Sequence, residues 1–289
     1  MARPPRKSSQ PVIVKKPTGM ADVVFGVLVQ AARKFLFIKP AYKAIFYVGF
    51  IAILSVLALN VEMSENYFTQ KHNFINVYGT KLGWFWTLLF LTPFIGLTSY
   101  LHHNSAQLTL FHLLRLVVAT AFWYACTNSF VVFEQLTGKC LGDAAINRRT
   151  CFDNGGKWIP GFDISGHTFI LLYSILLISE EATSFRNWPT RPKILDNTSN
   201  EKSRFESDEH QRRTKTVQWL FLCLFAIHLV WDFQLIITSL YYHTVSHKII
   251  GALFAVTSWF VTYGLWYPRY FPNVPIRRLS KTFYTVKTS

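Results

Sequence analysis

Apolar residues in this 289-residue chain are gathered into long runs rather than spaced at the period of an amphipathic helix or strand. Crossing a hydrocarbon core of about 30 Å takes roughly 20 residues of helix. Six runs approach or exceed that length, at residues 44–60, 82–100, 108–133, 167–182, 217–242 and 249–267, and each predicts a transmembrane helix. The first and fourth are short, which predicts tilt or local thinning of the bilayer there. An earlier apolar run, 21–38, is broken by Gln30, Arg33 and Lys34 and stopped by Pro40, and it predicts a helix lying in the interface rather than a seventh span. The expected fold class is therefore all-α: a polytopic membrane protein of six transmembrane helices with an additional N-terminal interfacial helix. The six-helix domain occupies residues 21–270, between basic cytosolic tails at 1–20 and 271–289.

Composition agrees with the pattern, at 51% hydrophobic and 17% aromatic residues. A net charge of +15 raises the question of nucleic acid, and the placement of the charge answers it. Nine lysines and arginines precede the first span, eight lie in 183–216 and five follow Pro268, whereas the alternate connections hold two, four and one. Twenty-two against seven is a positive-inside pattern with both termini in the cytosol. The basic face reads as an orientation signal and a contact for anionic lipid, not as a nucleic-acid groove. The first twenty residues, MARPPRKSSQPVIVKKPTGM, are rich in proline and cations and predict disorder. They lack the core and cleavage site of a signal peptide, so the first span is expected to target the chain.

Of four cysteines, Cys126 and Cys223 fall within spans and read as buried apolar residues. Cys140 and Cys151 share the largest luminal connection, where they form either a short disulfide loop or two free thiols. The one glycosylation sequon, at Asn197, falls on the cytosolic side and is expected to stay unmodified.

Candidate chemistry clusters at span ends. In FDISGHTFILLYS the polar group Asp163, Ser165, Gly166 and His167 sits at the luminal start of the fourth span. Ser165 suits an N-cap and Gly166 allows a ligand to approach the backbone. The helix start offers free amides and a positive dipole end to a phosphate. A histidine in that turn can exchange protons near neutral pH. YYHTVSHKIIG places His243, His247 and Lys248 in the luminal turn between the fifth and sixth spans. Antiparallel packing brings His167 and His243 to one depth, where they would form a catalytic pair if the fourth and fifth spans touch. The bland alternative is a pair of solvated boundary residues. His228 and Asp232, four apart on the fifth span, are expected to pair within the membrane as a structural element, with a polar lining for a lipid cavity as the alternative. Arg115 and Glu180 or Glu181 are expected to pair or to reach the interface, and Trp84, Trp219 and Trp266 suit an aromatic belt.

NVYGTKLGWFWTLLFLTPFIGLTSY, FDISGHTFILLYS and HTVSHKIIGALFAVTSWFVTYGLWYP resemble the fat storage-inducing transmembrane protein family. The similarity runs over roughly residues 20–270, with FDISGH and TYGLWYP the most specific. The resemblance implies a six-helix protein of the endoplasmic reticulum membrane needed for lipid-droplet formation, a lipid phosphatase-like helical bundle, and an acyl-coenzyme A diphosphatase activity. That reaction cuts the phosphoanhydride of fatty acyl-coenzyme A into acyl phosphopantetheine and an adenosine bisphosphate. By this analogy His243 attacks phosphorus, and His167 protonates the departing oxygen and later activates water. No metal or cofactor is called for where cations and backbone amides stabilise the equatorial oxygens. Features of the lipid phosphatase superfamily are missing at their usual places in two motifs: in the first, Leu88 stands seven residues after Lys81 where arginine-proline is usual, and the third departs twice. Ile237 stands where an arginine precedes the third-motif histidine, and His247 stands where an aspartate follows it. Ser165, Gly166, Lys81 and Lys248 are the candidates for phosphate binding, each lysine with snorkelling to the interface as its alternative. Asp163 either orients an imidazole or is a pre-helix turn residue. Three functions follow: the enzyme, a binder that partitions diacylglycerol or triacylglycerol into droplets, and a scaffold that recruits droplet-assembly proteins through the cations of 186–215.

Overall fold

Inside a bilayer every backbone amide must find its partner within the protein, which leaves the helix as the economical solution for runs of this kind. The computed structural model of the chain describes residues 19–61, 67–70, 72–141, 148–186, 188 and 201–270. Both tails beyond those bounds, and residues 187 and 189–200 of the cationic stretch with the Asn197 sequon, lie outside the described residues. Six helices are long and apolar enough to cross a membrane, and they make an all-α polytopic membrane protein.

In chain order the elements are α1 (Met20–Leu36), α2 (Pro40–Asn60), a single 3₁₀ turn (Tyr67–Thr69), a π-helical turn (Ile75–Thr80), α3 (Gly83–His103) and α4 (Ala106–Thr137). A short hairpin of β1 (Lys139–Leu141) and β2 (Lys157–Ile159) follows, enclosing α5 (Arg148–Asp153). Then come α6 (Gly166–Glu181), α7 (Glu201–Tyr241), α8 (Val245–Trp259) running into a second π-helical stretch (Phe260–Trp266), and α9 (Tyr267–Tyr270).

α6 is the axis of the bundle. Every residue from Thr168 to Glu181 is buried, because α2, α3, α4, α7 and α8 all pack against it. Its shortness has a simple consequence: enclosed by protein, α6 need not match the bilayer, and a 3₁₀ turn (Ala182–Phe185) completes it. The outer helices show the inverse pattern. Ile45, Ile53 and Leu59 of α2 and Leu110, Val117 and Leu136 of α4 are among the most exposed apolar side chains, as lipid-facing surfaces require. Trp84 departs from the belt expectation. It is buried, stacked between Trp123 at 5.9 Å and Tyr173 at 5.5 Å, so it packs the core. Trp219 is exposed and meets Phe25 of α1 at 4.8 Å.

One end of the bundle gathers the C-termini of α2, α4 and α7 and the N-termini of α3, α6 and α8, together with the hairpin. The hairpin is closed by a Cys140–Cys151 disulfide with Cα atoms 5.7 Å apart, while Cys126 and Cys223 are free. A Cβ on Gly161 would fall 2.1 Å from the Thr137 hydroxyl, and that same hydroxyl accepts the Phe162 amide at 2.7 Å. The hairpin is thereby tied to the end of α4 and delivers residues 162–165 to the start of α6.

Candidate active site

Ser165 holds an extended backbone before α6, and its Oγ accepts the Thr168 amide at 3.3 Å. Fully buried and also bonded to the Thr168 hydroxyl, it serves as the N-cap that the sequence suggests. The Ser165 amide donates to the His247 carbonyl at 3.1 Å. Gly251 of α8 lies so close that a Cβ there would stand 2.5 Å from the Ser165 carbonyl oxygen. These contacts dock the α7–α8 turn onto the start of α6, which is how two histidines far apart in sequence reach one place.

His243 occupies that turn in a left-handed conformation, φ 56°, a rare state for a side-chain-bearing residue that marks a site worth explaining. Its Nδ1 stands 3.4 Å from Oδ2 of Asp163, and the aspartate is 57% exposed, so the pair opens to solvent. His167, in the first turn of α6, points Nε2 at the side-chain oxygen of Asn76 at 3.0 Å. Its ring lies nearly parallel to that of Tyr242, with centroids 6.3 Å apart. His243, Lys81 and Asp163 all lie within electrostatic reach of His167.

The remaining candidates separate. Gly166 faces open space, with nothing within 4 Å of where a Cβ would stand. The capping leaves the Gly166 and His167 amides outside the helix's own ladder, in the position from which helix starts bind anions. Lys81 is exposed beside His167. Lys248 neither reaches the site as a phosphate ligand nor snorkels. It is 2% exposed, and its Nζ donates to the Ser239 carbonyl at 2.6 Å, placing a cation on the C-terminal turn of α7, where the helix dipole favours one. Asn76 and Tyr242 escaped the sequence reading. The only trace of Asn76 was its place in NVYGTK, a motif quoted for resemblance and not for chemistry. Among the described residues no group of three or more His, Cys, Asp or Glu side chains is arranged to hold a metal ion.

A second polar cluster sits deeper. His228 Nδ1 meets Asp232 at 3.0 Å, and Tyr47 donates to the same carboxylate. Lys43 donates to Ser179 at 2.8 Å and meets Nε2 of His228 at 3.1 Å. Ser179 Oγ is 3.3 Å from His228 Nε2, so the cluster has the outline of a Ser–His–Asp triad. Its bonding is different. The Ser179 hydroxyl donates to Ile175 of its own helix, and Lys43 occupies the imidazole nitrogen that would serve as base. Arg115 and Glu181 form a buried pair at 3.1 Å, completed by Tyr263 on the carboxylate.

The family model described as "FIT: Fat storage-inducing transmembrane protein" matches residues 64–141 and 133–263. Among relatives, the acyl-coenzyme A diphosphatase FITM2 of Caenorhabditis elegans is 37% identical over 264 residues, covering 91% of this chain and 92% of its own. The human protein of the same name is 35% identical over 243 residues, 79% of this chain and 86% of its own. The Drosophila melanogaster one is 32% identical over 272 residues, 87% of this chain and 64% of its own. No solved structure matches the chain.

Proposed function

The chain belongs to the fat storage-inducing transmembrane protein family, and from that membership we propose that it is a fatty acyl-coenzyme A diphosphatase of the endoplasmic reticulum membrane. It acts at the luminal rim and supports lipid-droplet formation. The observation that carries the reading is the meeting of His167 and His243 at one end of the bundle, each with a partner of its own. Asp163 on Nδ1 of His243 leaves Nε2 as the nucleophile and supplies the carboxylate missing after His243. Nε2 attacks one phosphorus of the phosphoanhydride, an N–P bond forms and the bridging P–O bond breaks. His167 gives its proton to the departing phosphate oxygen, then takes one from the water that cleaves the N–P bond. Attack at either phosphorus ends in acyl phosphopantetheine and an adenosine bisphosphate. Splitting the displacement into two steps is the gain of covalent catalysis, and Lys81 with the Gly166 and His167 amides offers positive charge to the equatorial oxygens.

The twenty-two to seven distribution of cations supports cytosolic termini and a luminal site. α1, with Val23, Val24, Val27 and Leu28 exposed and Arg33 and Lys34 in its last turn, suits the cytosolic interface. The alternative reading, capture of diacylglycerol or triacylglycerol without catalysis, draws on buried donors in the membrane core. Ser174 Oγ and Trp259 Nε1 have no protein partner among the described residues, and an ester carbonyl would satisfy either.

The deciding experiment gives purified protein in detergent oleoyl-coenzyme A and looks for acyl phosphopantetheine by mass spectrometry. We expect product from the wild type and a fall of at least about 10²-fold in folded His167→Ala and His243→Ala. No product from wild type, or mutants that match it, would overturn the enzyme and leave lipid capture as the reading.

A further inference from the structure

The segment before α3 departs from regular α-helix. Ile75–Thr80 forms a π-helical turn, closed by the Lys81 amide on the Asn76 carbonyl at 3.0 Å. Such turns are rare in proteins and concentrate at functional sites. This one is pinned from several directions. Gln234 of α7 donates to the Ile75 carbonyl at 3.1 Å, Trp86 of α3 donates to the Tyr78 carbonyl at 2.7 Å, and Tyr242 donates to the Phe68 carbonyl at 2.7 Å. Asn73 accepts the Asn76 amide at 2.7 Å while its own amide group holds Gln70 at 2.8 Å. The wide turn carries the side chain of Asn76, 7% exposed, onto His167. Phe74 and Tyr78, two residues to either side, face outward at 66% and 54% exposure. So many restraints on an irregular segment fix one side-chain oxygen in front of one imidazole nitrogen.

We propose that Asn76 is a positioning residue of the hydrolytic site. Its side-chain carbonyl accepts the proton on Nε2 of His167 in both charge states of the ring, so that Nδ1 is the atom that gives its proton to the leaving oxygen from the imidazolium and, in the neutral ring this leaves, takes one back from water. The inference rests on the two-histidine reading above. A positioned acid is worth about 10²–10⁴-fold only while the correct nitrogen faces the reacting atom, and a ring held in the wrong tautomer forfeits most of that. Other groups also act on this ring: His243 from the α7–α8 turn, Asp163 from the segment before α6 and Lys81 from the end of the π-helical turn, all by charge, with Tyr242 covering a face. None of them is bonded to Nε2 as Asn76 is.

Two substitutions of nearly equal size test this in full-length protein in detergent, with oleoyl-coenzyme A as substrate and folding followed by elution profile and thermal midpoint. Asn76→Leu removes the acceptor, and kcat should fall on the order of 10²-fold with KM within about twofold. Asn76→Asp keeps an acceptor and adds negative charge, which favours the imidazolium. Activity should return, with the alkaline limb of the kcat/KM profile displaced upward by about one pH unit or more. The displaced limb shows that residue 76 faces the ring that supplies the proton, and the fall of kcat in folded Asn76→Leu shows that the acceptor is needed there. Full kcat in Asn76→Leu, an unmoved limb in Asn76→Asp, or loss of the folded protein in both would each overturn the proposal. His167→Ala separates the levels. If it is active, the two-histidine site itself fails. If it is inactive while Asn76→Leu is not, only the role of Asn76 fails.

Discussion

At the scale of single residues, Asp163 and Ser179 make opposite cases. The Asp163 carboxylate faces Nδ1 of His243, where in the proposed reaction it would stabilise the positive charge the ring acquires as Nε2 bonds to phosphorus. Asp163→Asn keeps the shape and an acceptor but loses the charge. Turnover should fall on the order of 10²-fold with the thermal midpoint unchanged, as read by steady-state kinetics beside a melting curve. An unaffected kcat would make Asp163 the pre-helix turn residue that is its other reading. Ser179 sits in a constellation with the outline of a triad, yet Lys43 fills the position that a substrate and a free base would need. Ser179→Ala should leave specific activity within about twofold and cost about 1–3 kcal/mol of stability, since a buried ammonium loses an acceptor. A folded, inactive Ser179→Ala would show that the deeper cluster participates in the chemistry.

At the scale of elements, the fit of α8 against the start of α6 decides whether the two histidines meet. Gly251 has backbone, not a movable side chain, where its Cβ would go. Gly251→Ala should therefore cost about 1–3 kcal/mol through overpacking and reduce activity by shifting Ser165. Gly166→Ala meets nothing, so its thermal midpoint should stay within about a degree while activity falls, because the methyl group occupies the space proposed for phosphate. If both glycine variants lose stability alike, or Gly166→Ala is fully active, that seat for phosphate is wrong. The same elements show what a sequence can carry. The six spans were legible because the length of an apolar run is a one-dimensional signal. That His167 and His243 share one end of the bundle was legible because motif and span end coincide. Asn76 was not, since a π-helical turn is a departure from periodicity and leaves no pattern to find. Lys248 and Trp84 misled for one reason: a cation or an indole near a span end looks interfacial until packing places it against Ser239 or between Trp123 and Tyr173. The partner of Asp163 is chosen by the docking of α8, a contact that residue spacing does not encode.

At the scale of the whole molecule, an even number of spans puts both termini on one side and the histidine end, with its hairpin, on the other. The hairpin disulfide belongs to an oxidising compartment, and the excess of cations on the opposite connections belongs to the cytosol. These are independent signals, one redox and one electrostatic, and both favour the orientation proposed above. In sealed microsomes carrying the protein with a small tag at each end, protease added outside should remove both tags. A fragment containing residues 139–159 should survive until detergent opens the vesicle, and it should run as a disulfide-closed species without reductant. Cys140→Ser should abolish that mobility difference and, by freeing the loop that holds Asp163, cost about 2–4 kcal/mol locally. Protection of the tags with cleavage of the hairpin would reverse the orientation. The catalytic end would then face the cytosol, where acyl-coenzyme A is made, and the basic connections would lie in the lumen against the rule that sets topology.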